Sequence, residues 1–420
     1  MPVVSRAVLS AVVLGLAGAP SLSAQVPITL EDALREARGA NAELPLARTD
    51  MALADASLGV AKGRLWPTVG IDGDLHSGVP SSYASSDARI QLVGGMTVYD
   101  GGRLRADIRG AEAVRNLAGA GYRRSEKDVE LLVRLRYGEI LALRQEVELM
   151  NQGIDQLGRY LDLVDARQQG GEPVQADRLG AEVRRQAARA DLEEASRLES
   201  EAVLEMNELM GRDPDDVLEL AGLPPPVALS LSSDSAWTGV PDVTVAEAAA
   251  IQARAEVEGV RAGRRPQVFL DLNLGGQPVL GLGADALLNS GRGAGAELVL
   301  GFSLPLWDRG VYRGLLNSAE LSVQRADQET TAARRAARLE WNRARGDLEH
   351  LSRQIDLRSA TVTLARDAYL QAESLYRGGE GTSLEVLDAY DEWIQAGENV
   401  VTATQGFRSA EARSIRWGTP

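Results

Sequence analysis

The chain has 420 residues, 44% of them apolar and only 4% aromatic, with 43 Gly and no Cys. That composition excludes wholesale disorder and suits closely packed helices better than a thick globular core, while the missing thiols exclude disulfides, thiolate nucleophiles, Cys-ligated zinc and lipid attachment through an N-terminal Cys. Forty-five basic against 60 acidic residues leave a formal charge of −15, which argues against nucleic acid as a main partner.

Arg6, an apolar run over residues 7–19, Pro20 and the small residues Ser21, Ser23 and Ala24 open the chain. This is the pattern of a secretory signal over residues 1–24, cut near Ala24, because the run is too short to cross a bilayer as a helix. No later segment approaches the roughly 18 uncharged apolar residues of a membrane helix. The exported chain therefore either stays soluble or meets a membrane as β-strands, and only a closed barrel spans in that form.

After an opening helix, residues 69–75 alternate with Asp72 and Asp74 on the polar side, and Ile90, Leu92, Met96 and Val98 set the apolar side of a second strand. A β-hairpin is expected over 68–99. From 106 to 168 there is no Pro, and Ile140, Leu143, Val147, Met150, Ile154, Leu157, Leu161 and Val164 advance by alternate steps of three and four. That is a heptad seam on one helix of about 60 residues, near 90 Å long. Gly170-Gly171-Glu172-Pro173 breaks it, Pro173 suits the first turn of the next helix, and a returning helix over 174–210 completes a long α-hairpin over 104–210.

The pattern then recurs at a displacement of 208 residues. Tyr99-Asp100-Gly101-Gly102 returns as Trp307-Asp308-Arg309-Gly310, Gly170-Gly171-Glu172 as Gly378-Gly379-Glu380, and the seam as Leu348, Leu351, Ile355, Arg358, Val362, Ala365, Tyr369 and Ala372. Residues 25–222 thus form a first unit, 223–243 a linker, and 244–420 a second unit. The second unit holds a short helix over about 245–263, a β-hairpin over 267–305 and an α-hairpin over 312–416. In its strands Val268, Leu270, Leu272 and Leu274, then Leu298, Leu300, Phe302 and Leu304, alternate with a mostly polar side.

Four strands do not close a barrel, and two hairpins with a greasy face are unstable in water, so copies must assemble unless the hairpins pack on the helices as a soluble sandwich. A multi-chain membrane barrel and that sandwich both remain open on pattern alone. A secreted coiled-coil structural or adhesive protein is a further alternative, although it gives no account of the strands. For an enzyme the best motif is Gly281-Leu282-Gly283-Ala284-Asp285-Ala286, which no amphipathic helix follows and no parallel βαβ unit surrounds. His76 and His350 are far apart, and Arg264-Arg265 and Arg334-Arg335 read as solvated or membrane-edge charge. No catalytic, cofactor or metal site is expected.

The repeat, the leader and several strings together resemble the TolC-like outer-membrane efflux protein family over nearly the whole mature chain. The strings are Ile28-Thr29-Leu30-Glu31-Asp32-Ala33-Leu34 with Asn41, Leu65-Trp66-Pro67, Arg265-Pro266, the two strand exits ending in Asp100-Gly101-Gly102 and Leu304-Pro305-Leu306-Trp307-Asp308, and residues 376–389. The resemblance implies a mainly α protein with β-hairpins that trimerises into a 12-stranded outer-membrane barrel and a periplasmic α-helical tunnel. It also implies a passive duct, with outer-membrane lipid around the barrel, an inner-membrane pump (RND, ABC or similar) supplying energy, and a periplasmic adaptor docking at the tunnel tip.

Carried over position by position, the resemblance makes Gly170, Gly171, Glu172, Pro173, Gly378, Gly379, Glu380 and Gly381 the adaptor-docking tip. It makes Glu385 and Asp388 the channel constriction, and Tyr376 with Asp177 a closed-state link. The chain departs from the family at Gly381, where a basic residue is usual, and at Asn41-Ala42, where Asn-Pro is usual. Cargo is not legible: the Gly301-to-Asp308 string resembles the heavy-metal branch as much as the drug branch, and substrate choice is expected to reside in the pump.

Overall fold

The computed structural model describes residues 27–78, 85–226, 236–276 and 294–415. The leader over 1–24 and the glycine-rich stretch 281–286 lie outside them.

Where one opening helix is expected, two form: α1 (Leu30–Ala40) and α2 (Glu43–Gly63). Thr29 caps α1 by accepting from the Asp32 amide at 3.2 Å. Asn41 ends the helix by leaving helical geometry at ψ 134°. Its side-chain amide donates to Leu209 O at 3.2 Å, and its oxygen accepts from the Glu43 amide at 2.9 Å. One buried side chain thereby satisfies two chain ends, which is what makes the break stable without a proline there.

Strands β1 (Thr68–Gly78) and β2 (Ser85–Tyr99) lead into α3 (Arg103–Gln169) and α4 (Gln175–Met210). After a short 3-10 turn (Ala236–Gly239) come α5 (Pro241–Ala262), β3 (Gln267–Gly276), β4 (Ala294–Ser303), α6 (Val311–Gly378) and α7 (Ser383–Ile415). Helix α5 starts at Pro241, earlier than its periodicity suggests, because proline's missing N–H costs nothing in a first turn. At 67 and 68 residues α3 and α6 are each about 100 Å long.

The duplication extends to backbone geometry. Asp100 accepts from the Gly102 and Leu104 amides at the start of α3, and Asp308 accepts from Gly310 and Tyr312 at 3.0 and 2.9 Å at the start of α6. Those bonds hold the Asp308 carboxyl below the ordinary aspartate range. The turn residues are left-handed in both copies, Gly101 at φ 66° and Arg309 at φ 53°. In the first copy glycine is obligatory, because a Cβ on Gly101 would lie 2.1 Å from the Arg265 Cβ. Gly101→Ala is expected to lower stability by about 3 kcal/mol, from left-handed strain of about 1 and overpacking of about 2. The heat-dissociation midpoint of the detergent-solubilised protein would measure the loss.

The four strands form one antiparallel sheet in the order β1-β2-β3-β4, so the two hairpins are also paired to each other. The register lines up Ile71, Leu92, Leu274 and Ala296 in one row and Val69, Gly94, Leu272 and Leu298 in another, which puts the apolar positions on a single face. The opposite face carries Asn273 beside Glu297, Asp271 beside Val299, and Phe269 lying across Gly301. The helices beneath follow the same order as the strands they join. Helix α2 packs on α3, α3 on α5 and α5 on α6. Further from the sheet the layer continues as α4, α3, α7 and α6.

Packing between the long helices relies on small residues. Ala106, Ala113 and Ala120 recur every seven residues on α3, all buried, and a Cβ on Gly153 would lie 2.7 Å from the Tyr390 hydroxyl of α7. Close helix approach is how a chain this poor in aromatics fills its interior. The core midway along the molecule centres on Tyr137, whose hydroxyl hydrogen-bonds to the carbonyls of Ile28 (2.9 Å) and Ala221 (2.5 Å), tying both chain crossings to α3.

Candidate functional site

Both α-hairpins end in the same turn. Gly171 and Gly379 are left-handed at φ 93° and 78°. Glu172 and Glu380 then donate back to the carbonyls of Arg167 (3.2 Å) and Leu375 (3.0 Å), which closes the helix ends. Pro173 precedes the first residue of α4 instead of lying in its first turn, because Val174 serves as the cap. Glu172, Pro173 and Gly378 to Glu380 are exposed, as are Gly170 and Gly171.

Just behind the turns, five aromatic residues gather: Tyr160, Tyr369, Tyr376, Tyr390 and Trp393. Tyr160 and Tyr376 have ring centroids 5.3 Å apart, and Tyr369 stacks on Trp393 at 5.8 Å. This cluster joins the two hairpins and carries the polar links between them. Tyr376 donates to Asp177 Oδ2 at 2.8 Å, so that pair does meet within one chain. Burial, and then the bond to Asp177, push the Tyr376 hydroxyl well above its ordinary range, which keeps it a neutral donor. Arg167 lies 4.4 Å over the same ring and donates to the Tyr376 carbonyl at 3.0 Å. Tyr160 donates to Ser383 Oγ at 2.7 Å in a buried bond.

Glu385 and Asp388 are both exposed on the face of α7 opposite buried Val386, Leu387 and Tyr390. Glu385 has a local task as well. It accepts from the Thr382 amide at 2.7 Å while its own amide donates to Thr382 Oγ1 at 3.3 Å, a reciprocal capping box for α7. These bonds hold its carboxyl below the ordinary glutamate range. Asp388 lies 3.8 Å from Arg184 of α4. That arginine grips Asp391 with Nε at 2.9 Å and Nη2 at 2.8 Å.

Sequence reasoning missed three of these features. The Thr382-to-Glu385 spacing was there to be read as a helix start, but Arg184–Asp391 and Tyr160–Ser383 join residues more than 200 positions apart and left no local signal. Higher on α7, half-buried Glu398 has its carboxyl pushed up by burial and by nearby Glu146 and Asp191. The folded state therefore disfavours its charge, and that cost is present above its folded value and disappears as pH falls below the unfolded one. Glu398→Gln is expected to raise the heat-dissociation midpoint at neutral pH and to give no gain at about pH 3.5, below the ordinary glutamate value of about 4.3.

Among the described residues no cluster of His, Asp and Glu is arranged to hold a metal ion, and no helix is long and apolar enough to cross a membrane. The sheet is different. Strands of ten residues stand about 23 Å high at a tilt of roughly 45°, close to the apolar band of a membrane barrel. Their apolar side faces outward bare, with Ile71 75% and Phe302 80% exposed.

A sheet of that height and polarity, joined end-on to helices of about 100 Å, defines an outer-membrane channel protein with a large periplasmic body. The chain matches the outer membrane efflux protein family over residues 33–212 and 233–413, and it belongs to that family. Protein CyaE of Bordetella pertussis is 25% identical over 84% of this chain and 76% of its own. The pyoverdine export outer membrane protein OpmQ of Pseudomonas aeruginosa is 26% identical over 66% of this chain and 58% of its own. The crystal structure of the outer membrane protein VceC of Vibrio cholerae superposes with a TM-score of 0.82 at 19% identity, covering 92% of this chain and 95% of that one. The protein is thus an outer-membrane efflux channel of the kind used in tripartite efflux or secretion systems.

Proposed function

We propose that three copies close into a continuous water-filled duct, with twelve strands, four from each copy, in the outer membrane and the helices as a periplasmic tunnel. The observation that carries this is the coincidence of the open ends. β1 and β4 bound the sheet, α2 and α6 bound the helical layer below it, and α2 runs into β1 as β4 runs into α6. One lateral junction, β1 and α2 of one copy against β4 and α6 of the next, satisfies both layers together and removes every sheet edge. The apolar sheet face then meets lipid, and exposed Trp66 and Tyr99 at the strand bases suit the membrane boundary.

In this arrangement the hairpin turns, residues 170–173 and 378–381, are the tip that meets a periplasmic adaptor and, through it, an inner-membrane pump of the RND, ABC or a similar type. Glu385 and Asp388 form an acidic constriction just above it. The Tyr376–Asp177 bond holds neighbouring hairpins together in the resting state. Six carboxylates around a narrow mouth favour cations and repel anions until the helices splay. Energy and cargo choice come from the pump, and the duct conducts passively. The mass of the detergent-solubilised protein tests the assembly: a particle of three chains supports it, and a monodisperse monomer overturns it.

A further inference from the structure

We infer that Arg184 is the charged clamp of the resting entrance and the residue that tempers its cation preference, an assignment resting on the placement of Asp388 at the mouth. Arg184 on α4 belongs to the first hairpin, and Asp388 and Asp391 on α7 belong to the second. Its guanidinium reaches Asp391 through two nitrogens, Nε at 2.9 and 3.1 Å from the two carboxylate oxygens and Nη2 at 2.8 Å from one. Nε and Nη2 converge on Oδ2 while Nε also shares its proton with Oδ1, a charge-assisted contact of a guanidinium with a carboxylate. The neighbouring arginines do not cross over: Arg178 pairs with Asp165 and Arg185 with Glu182, both inside the first hairpin. Arg184 does cross, at a place where α4 and α7 touch only lightly.

Two consequences follow from the chemistry. Gly381 carries no charge, and two arginines of the first hairpin reach the second: Arg167 bonds to the Tyr376 carbonyl and lies over its ring, whereas Arg184 forms an ion pair with a carboxylate. Glu385, Asp388 and Asp391 follow one another at three-residue steps, so they share one side of α7. Arg184 neutralises the inner end of that stripe: it is bonded to Asp391 and lies 3.8 Å from Asp388, too far for a hydrogen bond but well inside Coulombic range. Closed, the mouth carries a diluted acidic ring. Once the hairpins separate, the arginine withdraws and the same carboxylates act at full strength, so opening and cation preference rise together. The pair is partly exposed, so salt weakens it.

Planar-bilayer recordings of the assembled protein in KCl test the clamp. Arg184→Gln is expected to raise resting conductance about twofold or more and to increase the K+ over Cl− permeability ratio by a similar factor. Asp391→Asn is expected to raise conductance without that gain in selectivity. The exchange of charges, Arg184→Asp with Asp391→Arg, is expected to return conductance close to the parent value although each single change leaks. Wild-type conductance and selectivity in Arg184→Gln channels overturn the proposal, as does an exchange that leaks as much as its parent singles. If Arg184→Gln fails to assemble, the exchange of charges decides the matter: conductance close to the parent value supports the clamp, and a leak as large as that of Asp391→Arg alone overturns it. A silent Glu385→Gln/Asp388→Asn channel removes the constriction reading instead, and the clamp then stands or falls on conductance alone.

Discussion

Leu53→Glu combined with Val60→Glu is expected to abolish assembly while leaving the single chain folded. Leu46, Leu53 and Val60 repeat every seven residues along α2 and are 69%, 61% and 60% exposed in the isolated chain. The face of α2 that packs on α3 is a different stripe, Leu44, Ala54 and Ala61. This exposed apolar seam at heptad spacing, off the stripe that packs on α3, lies on the helix at the open end of the helical layer. On α6, which bounds the layer at its other end, Val311, Leu315 and Leu321 are exposed as well. Burying each leucine or valine contributes roughly 1.5–3 kcal/mol, and a glutamate in its place loses that term and adds an unpaired charge. Two such changes are repeated at every junction of the ring. The check is a semi-native gel or light scattering in detergent, with the far-ultraviolet circular dichroism of the variant compared with the parent. A variant that still forms trimers removes α2 from the interface.

The second large effect is expected at the entrance, where Glu385→Gln together with Asp388→Asn raises single-channel conductance and erases most of the cation preference. These substitutions, instead of alanine, follow from the capping box. Alanine at position 385 also frees the Thr382 amide and costs roughly 0.5–2 kcal/mol of helix stability, so a leak there would report a frayed helix as readily as a lost charge. Glutamine keeps an acceptor in place and changes the charge alone. A carboxylate ring acting on an ion a few ångströms away through partly screened solvent is worth on the order of 1 kcal/mol, which is a several-fold change in permeability ratio. Bilayer recordings in asymmetric KCl read it as a shift in reversal potential. An unchanged potential would leave both residues as an ordinary solvated helix face.

The acidic pair on α7 was placed at the entrance by the family resemblance, with its three-residue spacing in keeping, whereas the seam on α2 was recognised only from the exposure of Leu46, Leu53 and Val60 in the structure. That Glu385 has a partner three residues back was readable in the sequence, but nothing there showed that Asp388 has a cation within 3.8 Å on another helix. The first belongs to local chemistry and was overlooked. The second depends on how α4 and α7 twist past each other over many turns, and the heptad phase of either helix alone says nothing about it.

By itself the sequence determined the duplication, the two long helical hairpins, the alternating strands and the greasy side of each, because periods of two and seven are properties of a single segment and survive without knowing its neighbours. Its glycines and aspartates also marked where chain direction changes, since left-handed turns and helix caps are decided within four or five residues. Only the tertiary structure decided that the two strand hairpins pair with each other, that the opening helix breaks at Asn41 to meet the carbonyl of Leu209, and that Arg184 reaches Asp391. Each of those contacts joins residues well over 150 positions apart, and it forms where packing of the long helices brings their surfaces into register, a condition set by the whole layer and not by any residue in it.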